Sequence, residues 1–294
     1  MKKILFFSLI FVLLFSSSVL LSQSEKEFSF VFMTDIHLKD NSKATNGLKK
    51  AIEKINRLKP DFVITGGDLV MDVQGTTAEK AEGLFQLYND IMKQLNMPAY
   101  NTMGNHDMFG VSKKSKVELS NPMYGKKMYE KYFGKTYYSF EYKNWHFIIL
   151  DPFALSSGRG YGVRFFKEEL DWVKNNIAKI DSKTPVCIVS HVPLRLFKKE
   201  QDKDTAGTAG AKDIVGNTKD LLKILEKHNL KLVLQGHDHI YGAYTDNKNI
   251  TYLIGGAICG TWWNGPCFNA ERGFLYFKVS GDKATFEYMG YDSD

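Results

Sequence analysis

The sequence predicts an α/β fold in which strands and helices alternate to build a parallel sheet. Three short apolar runs with strand-favouring residues lie at residues 28–34, 62–65 and 99–102. Two segments with apolar residues at helical spacing, residues 44–58 and 77–95, separate these runs. Because parallel strands need a long crossover, which is usually a helix, this alternation favours parallel pairing.

The rest of the chain continues this mixture after one interruption. Residues 111–135 are rich in lysine and contain Pro122 and Gly125, which favours a surface excursion with a short helix near Tyr129. Beyond it the pattern predicts a hairpin of two strands, at residues 137–142 and 145–150, and two helices, at residues 165–180 and 218–227. It predicts further strands at residues 186–190, 230–235, 251–254, 274–279 and 285–288. Small residues at 206–211 indicate a flexible loop.

The N-terminal segment has the pattern of an export signal. Lys2 and Lys3 precede an apolar run at residues 4–21, and polar residues follow it. We therefore predict a signal peptide over residues 1–24, with cleavage after position 18, 22 or 24. Residues 25–294 are then one domain, exported to the periplasm or secreted. The alternative is an uncleaved anchor, because the run approaches spanning length; membrane contact would then be limited to this segment.

The charge of the chain limits the classes of partner that it can be expected to bind. The formal net charge is +6, and no run of five or more lysine and arginine residues occurs. Nothing therefore indicates nucleic-acid binding.

Three cysteines are too few for a disulfide scaffold. Two alternatives remain for them: Cys259 and Cys267 form a pair that leaves Cys187 alone, or all three thiols are unpaired and buried.

Polar clusters follow the predicted strands one after another. Five of the seven histidines lie in such clusters, whereas His146 and His228 do not. The clusters are Asp35-Ile36-His37, Gly67-Asp68, Gly104-Asn105-His106-Asp107, His191 and Gly236-His237-Asp238-His239. Since open α/β sheets bind ligands at the carboxyl ends of their strands, we expect these clusters to converge in space.

The residue types in these clusters indicate transition-metal chemistry. Carboxylates mixed with imidazoles suit manganese, iron or zinc better than calcium or magnesium. The set contains no thiol, so it does not resemble a structural zinc site. His237 and His239 are two positions apart and point to different sides of an extended segment. That spacing suits two adjacent metal ions better than one.

These five clusters, in this order from Asp35 to His239, resemble the calcineurin-like metallophosphoesterase superfamily. The resemblance implies a four-layer α/β/β/α sandwich of two mixed sheets flanked by helices. It also implies two divalent metal ions, with Asp35, His37 and His239 on one ion and Asn105, His191 and His237 on the other. Asp68 would bridge both ions. His106 would be the general acid, oriented by Asp107.

The resemblance implies a metal-dependent hydrolase of small phosphorylated substrates. A hydroxide shared by the two ions would attack phosphorus in line, and His106 would protonate the leaving group. Met71 stands where purple acid phosphatases place a metal-binding tyrosine, and the pattern is more similar to exported bacterial enzymes for small phosphodiesters. The alternatives are a phosphomonoesterase, a nucleotide pyrophosphatase and, from another class, a non-catalytic protein that binds a phosphorylated ligand.

A glycine-rich stretch at residues 255–264 contains two adjacent tryptophans, Trp262 and Trp263. Glycine permits close backbone approach, and indole rings offer stacking faces for a substrate. Similar loops border the site in exported members of the family that this chain resembles. Trp262 and Trp263 are therefore candidate substrate contacts; the alternative is that both rings only pack in the core or at its edge.

Overall fold

The computed structural model describes residues 27–195, 214–267 and 270–292. The strands in these ranges are β1 (Glu27–Met33), β2 (Phe62–Thr65), β3 (Ala99–Asn101), β4 (Tyr138–Tyr142), β5 (Trp145–Leu150), β6 (Phe153–Leu155), β7 (Tyr161–Val163), β8 (Pro185–Ser190), β9 (Asn229–Gln235), β10 (Tyr241–Thr245), β11 (Thr251–Gly255), β12 (Gly273–Ser280) and β13 (Lys283–Gly290). The helices are α1 (Ser42–Leu58), α2 (Ala78–Met92), α3 (Lys127–Phe133), α4 (Lys167–Ile177) and α5 (Thr218–Leu225).

The strands form two large mixed sheets and one small hairpin. One sheet has the order β13-β12-β1-β2-β3, and the other has the order β10-β11-β9-β8-β5-β4. Strands β1, β2 and β3 are parallel to one another, as are β5, β8, β9 and β11. The outer pairs β12–β13 and β10–β11 are antiparallel. The predicted parallel pairing of the first three strands is confirmed.

An aromatic core lies between the two sheets. Phe30 of β1 stacks on Phe62 and Phe277 of its own sheet, with ring centroids 5.2 and 4.4 Å away. The edge of Phe147, in β5 of the other sheet, meets the same ring at 5.6 Å. Because successive side chains of a strand point to opposite faces, Val31 of β1 faces away from this core. The two sheets therefore pack face to face.

Helices cover the outer faces. Helix α1 begins at a capping residue, Asn41, whose side chain accepts a hydrogen bond from the Ala44 amide at 2.9 Å. Its buried face includes Leu48 and Ile52, which belong to the same apolar cluster as Val31. Each such side chain contributes about 1.5–3 kcal/mol when it is fully buried. The predicted α/β/β/α sandwich of two mixed sheets is confirmed.

Three strands are present that the sequence did not predict: β6, β7 and β10. The first two are only three residues long and occur where charged and small residues hide any alternation. Strand β10 is an edge strand whose last three residues are exposed, so no buried face marks it. The predicted signal peptide and the predicted loop at 206–211 lie outside the described residues.

The described residues also bear on the membrane and cysteine expectations. Among them, no helix combines the length and the apolar character that a membrane crossing requires. Cys187, Cys259 and Cys267 are all buried free thiols. The alternative of three unpaired thiols is therefore the one that the structure adopts.

A candidate two-metal centre at the strand ends

Every predicted metal ligand follows the carboxyl end of a strand. In the first sheet Asp35 and His37 follow β1, Asp68 follows β2, and Asn105 lies in a short 3₁₀ turn after β3. In the second sheet His191 follows β8, and His237 and His239 follow β9. The structure thus brings together all seven residues from clusters that are up to about two hundred positions apart in sequence.

Five of these seven residues have left-handed backbone conformations, which cost about 1–2 kcal/mol each for residues other than glycine. Their φ angles are 53° for Asp35, 45° for His37, 53° for Asp68, 74° for His237 and 56° for His239. Local hydrogen bonds hold them: the His37 amide donates to the Asp68 carbonyl at 2.8 Å, and the His237 amide donates to the Asp35 carboxylate at 3.1 Å. These strained conformations lower the stability of the fold, and they direct the five side chains toward one point.

One half of the centre contains Asp35, His37 and His239. The Nε2 atoms of His37 and His239 lie 3.0 Å apart. Asp35 Oδ1 lies 3.4 Å from His239 Nε2 and 3.9 Å from His37 Nε2. All three residues are buried. This is a compact set of nitrogen and oxygen donors of the kind that transition metals bind.

The other half contains His191, His237 and Asn105. Asp68 Oδ2 lies 3.2 Å from His191 Nε2 and, on the opposite side, 3.4 Å from His37 Nε2. Ligand atoms of Asp68, His191 and His237 lie within 4.8 Å of one another. One carboxylate oxygen therefore faces both halves, which is the placement expected of a bridging ligand.

Buried polar atoms without hydrogen-bond partners mark where cations fit. Asn105 Oδ1 is buried without a hydrogen-bond partner, and the buried His191 Nε2 makes no hydrogen bond although Asp68 Oδ2 lies 3.2 Å away. Leaving such atoms unpaired costs about 1–3 kcal/mol each unless a ligand satisfies them. The opposite ring nitrogens are held in place: His191 Nδ1 lies 2.7 Å from the Gly66 carbonyl and His239 Nδ1 lies 2.9 Å from the Gly260 carbonyl. Such contacts orient metal-binding imidazoles, so the residues present fit a two-metal centre.

The charges in the centre are mutually dependent. Burial would raise the pKa of Asp68, but His191, His106 and His37 outweigh it and hold that pKa well below its usual range. Burial lowers the pKa of His37, so its imidazole is neutral and able to bind a metal. Burial also disfavours the charged form of His191, but Asp68 raises its pKa to about 10. The carboxylates of Asp68 and Asp35 therefore favour positively charged groups in the centre.

The carboxylate of Asp72 lies beside the imidazole of His106. Its Oδ1 atom is 3.4 Å from His106 Nδ1, whereas the resemblance assigns the orienting role to Asp107. Burial disfavours a charged His106, but Asp68 and Asp72 raise its pKa to about 9, so the ring carries a proton at neutral pH. The expected partner of His106 is therefore corrected from Asp107 to Asp72.

The buried carboxylate of Asp107 binds backbone amides instead. It accepts hydrogen bonds from the Gly104 amide at 2.8 Å and from the Leu69 and Val70 amides at 2.9 and 3.2 Å. Gly104 lies so close to Asp68 that a Cβ atom at Gly104 would be 2.1 Å from the Asp68 amide. Asp107 thus fastens the turn after β3 to the loop that carries Asp68.

The two adjacent tryptophans occupy opposite environments. Trp262 is 37% exposed, and its ring lies 4.4 Å from His37, 4.9 Å from His239 and 5.8 Å from His106 between centroids. Trp263 is 2% exposed, and its Nε1 donates to the His37 carbonyl at 2.9 Å. Trp262 borders the centre, whereas Trp263 is a packing residue. The expectation that Trp263 offers a stacking face to substrate is wrong for this reason.

A cleft of about 490 Å³ opens over the candidate centre, and its lining includes Asp68, His106, His239, Trp262 and Cys267. Cys259 is also close, with Sγ 3.8 Å from His239 Nδ1. Burial raises the pKa of the Cys259 thiol well above its usual range, so the thiol is protonated and is a poor metal ligand. The cleft has room for a small ligand beside His106 and Trp262.

Asp72 is a site residue that the sequence analysis missed. Its only signal was a carboxylate four positions after Asp68, in the loop that leaves β2. Loops of this kind often contain exposed acids, so the position alone did not indicate a role. The contact with His106 depends on how two loops from neighbouring strands fold against each other.

Comparisons with known proteins agree with this geometry. A protein-family model described as calcineurin-like phosphoesterase matches residues 28–241. The chain is 24% identical over 217 residues to a probable glycerophosphodiester phosphodiesterase, GpdQ, of Arcobacter nitrofigilis, with 67% of this chain and 70% of that protein covered. It is 25% identical over 207 residues to the probable purple acid phosphatase 20 of Arabidopsis thaliana, covering 67% of this chain and 43% of that protein. The chain thus spans less than half the length of the plant relative.

The fold also has a close counterpart among solved structures. A dimetal phosphatase from Danio rerio superposes with a TM-score of 0.66 at 16% sequence identity, covering 90% of this chain and 96% of that one. At this level of identity the likeness shows the fold alone.

Proposed function

The chain belongs to the calcineurin-like phosphoesterase family of metal-dependent phosphate-ester hydrolases, and from this premise we propose that it cleaves phosphodiesters of small molecules. The observation that carries the proposal is the position of Asp68 Oδ2, 3.4 Å from His37 Nε2 and 3.2 Å from His191 Nε2. A carboxylate placed in this way would serve two ions at once.

The residues around Asp68 would hold two divalent transition-metal ions, manganese, iron or zinc. Asp35, His37 and His239 would hold one, and Asn105, His191 and His237 the other. Two ions held together supply activation of water and neutralisation of the charge that develops on phosphoryl oxygens. The left-handed backbone of five of these residues supports this assignment, because strained conformations persist where function requires them.

His106 is the group that would protonate the leaving group. Its Nδ1 faces Asp72, which leaves Nε2 as the nitrogen that can donate a proton in the cleft. Asp68 and Asp72 favour the protonated imidazole against the effect of burial. A positioned imidazole acid typically contributes about 10²–10⁴-fold to a rate. Asp107 would act indirectly, because it holds the turn that carries His106.

The diester preference is supported by the Arcobacter relative, whose name describes a phosphodiesterase, and by Met71, where purple acid phosphatases have a metal-binding tyrosine. The Arabidopsis relative, named as a purple acid phosphatase, keeps a phosphomonoesterase as the second candidate. A nucleotide pyrophosphatase and a non-catalytic binding protein are further alternatives. Retention of all seven candidate ligands and of His106 argues against the non-catalytic alternative.

Trp262 would contact the leaving group. Its ring centroid lies 5.8 Å from that of His106, the residue that would donate to that group. An exposed indole face adjoining a polar cleft can stack on an aromatic or nucleoside leaving group, which contributes about 0.5–1.5 kcal/mol per aromatic pair. Trp263 has no such role, because its ring is buried against the loop that carries His37.

The test of the proposed function is a substrate screen of the purified protein loaded with manganese, iron or zinc. We expect bis-aryl phosphates and cyclic nucleotides to be cleaved with higher kcat/KM than mono-aryl phosphates, and chelation to abolish all activity. Replacing Trp262 with leucine should lower kcat/KM for aryl esters about 2–13-fold, from the stacking energy. Preference for mono-aryl phosphates would favour the phosphomonoesterase, and cleavage of none would favour the binding protein.

We also propose that the chain is exported, from the basic and apolar pattern at its N-terminus. The mature protein should begin between Val19 and Glu25 and should be found outside the cytoplasm. N-terminal sequencing of the protein from fractionated cells measures both. An intact Lys2 on a cytoplasmic protein would refute the proposal.

A further inference from the structure

A second cavity of about 240 Å³, which we call the basic cavity, lies beside helix α1. Its lining combines one face of the helix with one residue from the segment before β12. The lining residues are Ser42, Lys43, Asn46, Gly47, Lys50 and Arg272. None of these described residues is a carboxylate, and all except the glycine have side chains that can donate hydrogen bonds. Cavities for drug-sized ligands measure about 300–1,000 Å³, so this one suits a smaller ligand.

The basic cavity has an excess of positive charge. Lys43 and Lys50 are exposed, and no carboxylate pairs with either of them in the part of the chain that the structure describes. Lys43 Nζ donates to a neutral acceptor, Asn264 Oδ1, at 3.0 Å. Arg272 differs, because its Nε and Nη2 atoms bind the two carboxylate oxygens of Asp292 at 2.6 Å. Two of the three positive charges are therefore available to attract an anion.

Close packing fixes the shape of the basic cavity. Gly47 lies inside α1, although glycine is unfavourable in the interior of a helix. A Cβ atom at Gly47 would lie 2.2 Å from the ring of Trp263, so a larger residue would push the helix away from this indole. Arg272 Cζ lies 5.8 Å from the centroid of the same ring. The helix and Arg272 thus pack on one buried indole, which sets the distance between them.

The basic cavity is separate from the cleft over the candidate centre. The two linings have no residue in common, and no candidate metal ligand lines the basic cavity. One loop adjoins both: Thr261 and Trp262 line the cleft, whereas Asn264 accepts the hydrogen bond from Lys43. An anion in the basic cavity would therefore occupy a place of its own beside the loop that borders the cleft.

We propose that the basic cavity binds a phosphate group, either free or carried by a small ester. Lys43 and Lys50 supply the charge that attracts it, and charge-assisted hydrogen bonds are the strong ones in such sites. The Ser42 hydroxyl and the Asn46 amide add neutral donors. A carboxylate offers two oxygens to these donors, whereas a phosphate group offers at least three. The proposal goes beyond the phosphoesterase activity, because the cavity contains none of the residues assigned to it.

The test is the binding of inorganic phosphate to the full-length protein after metal has been removed with a chelator, so that no ion at the candidate centre can hold the probe. The dissociation constant is measured by isothermal titration calorimetry at low ionic strength. We expect the double variant Lys43→Gln/Lys50→Gln to bind phosphate about 5–25-fold more weakly, because an exposed ion pair contributes a factor of up to about five. Added salt should remove most of this difference, since it screens exposed charges.

A second double variant controls for the overall charge of the protein. Lys49→Gln/Arg57→Gln removes the same charge from the same helix but lies outside the basic cavity, and it should bind phosphate as the wild type does. Unfolding temperatures of both variants check that the fold is kept. Wild-type affinity in Lys43→Gln/Lys50→Gln would overturn the proposal, as would equal weakening in the two double variants or a wild-type protein that binds no phosphate.

A titration with phenyl phosphate distinguishes the two sources of the phosphate group. Tighter binding of phenyl phosphate than of inorganic phosphate, lost in Lys43→Gln/Lys50→Gln, would assign the basic cavity to an ester. The reverse order would assign it to the free ion. Since no cleavage is measured, these outcomes do not depend on which ester the protein hydrolyses.

Discussion

Replacing Asp68 with alanine is expected to remove at least one of two metal ions and to lower kcat/KM by about 10³-fold or more. The reason is that one oxygen of this side chain faces His37 on one side and His191 on the other, at 3.4 and 3.2 Å. Two ions together contribute several kcal/mol of transition-state stabilisation, and about 1.4 kcal/mol corresponds to a factor of ten. Metal content by elemental analysis and kcat/KM on one diester measure the two effects.

Asp68→Asn is the matched control for folding. Asparagine keeps the volume and the acceptor that the His106 amide uses, at 2.8 Å from Asp68 Oδ1. It removes the negative charge that faces both halves of the centre. We expect metal-free Asp68→Asn to unfold at nearly the temperature of the metal-free wild type, but to bind metal poorly. Two tightly held ions and full activity in either variant would contradict the assignment of Asp68 as the bridging ligand.

His106→Asn is expected to slow cleavage of alkyl phosphodiesters by about 10²–10⁴-fold, the usual contribution of a general acid. A nitrophenolate leaves readily without a proton, so nitrophenyl esters should be affected much less. Metal content should stay unchanged, because His106 is not among the proposed ligands. Measurement of kcat/KM for both kinds of ester, together with metal content, tests this selectivity.

Variants of two carboxylates near His106 distinguish a residue that orients its imidazole from one that only holds the turn. Asp72→Asn should weaken the contact with His106 Nδ1, 3.4 Å away, and should reproduce in part the bias against alkyl esters. Asp107→Asn disturbs the hydrogen bonds to the Gly104 and Leu69 amides and should slow both kinds of ester equally. Equal losses in His106→Asn, accompanied by loss of metal, would mean that His106 only shapes the turn.

Much of the fold could be predicted because its signals are local. The alternation of short apolar runs with helical segments predicted the parallel strands β1, β2 and β3, and the helical spacing of apolar residues at 44–58 predicted the first helix. The packing of two sheets against each other has no such local signal. It depends on contacts such as that of Phe30 with Phe147, which are more than a hundred residues apart.

The candidate ligands could be predicted because each follows a strand, and parallel strands end at one edge. The residues that support them could not. Asp72 approaches His106 through a loop conformation that depends on contacts between distant parts of the chain, such as the hydrogen bond from the Val73 amide to the His106 carbonyl at 3.2 Å. Trp262 and Trp263 both have positive φ angles, 52° and 71°, so adjacent side chains leave the backbone in directions that a regular strand or helix would not give.

The division of the seven candidate ligands between two sheets has a consequence for folding. Each ion would be bound by residues from both sheets and would therefore cross-link them. Unfolding of the protein and release of the metal would then be one linked equilibrium. A free ion at about 100 times its Kd adds about 2.7 kcal/mol to the stability of the native state for each site. That is a sizeable fraction of the total stability of about 5–15 kcal/mol that a typical domain has. The lifetime of the folded protein would therefore depend on how much metal its compartment contains.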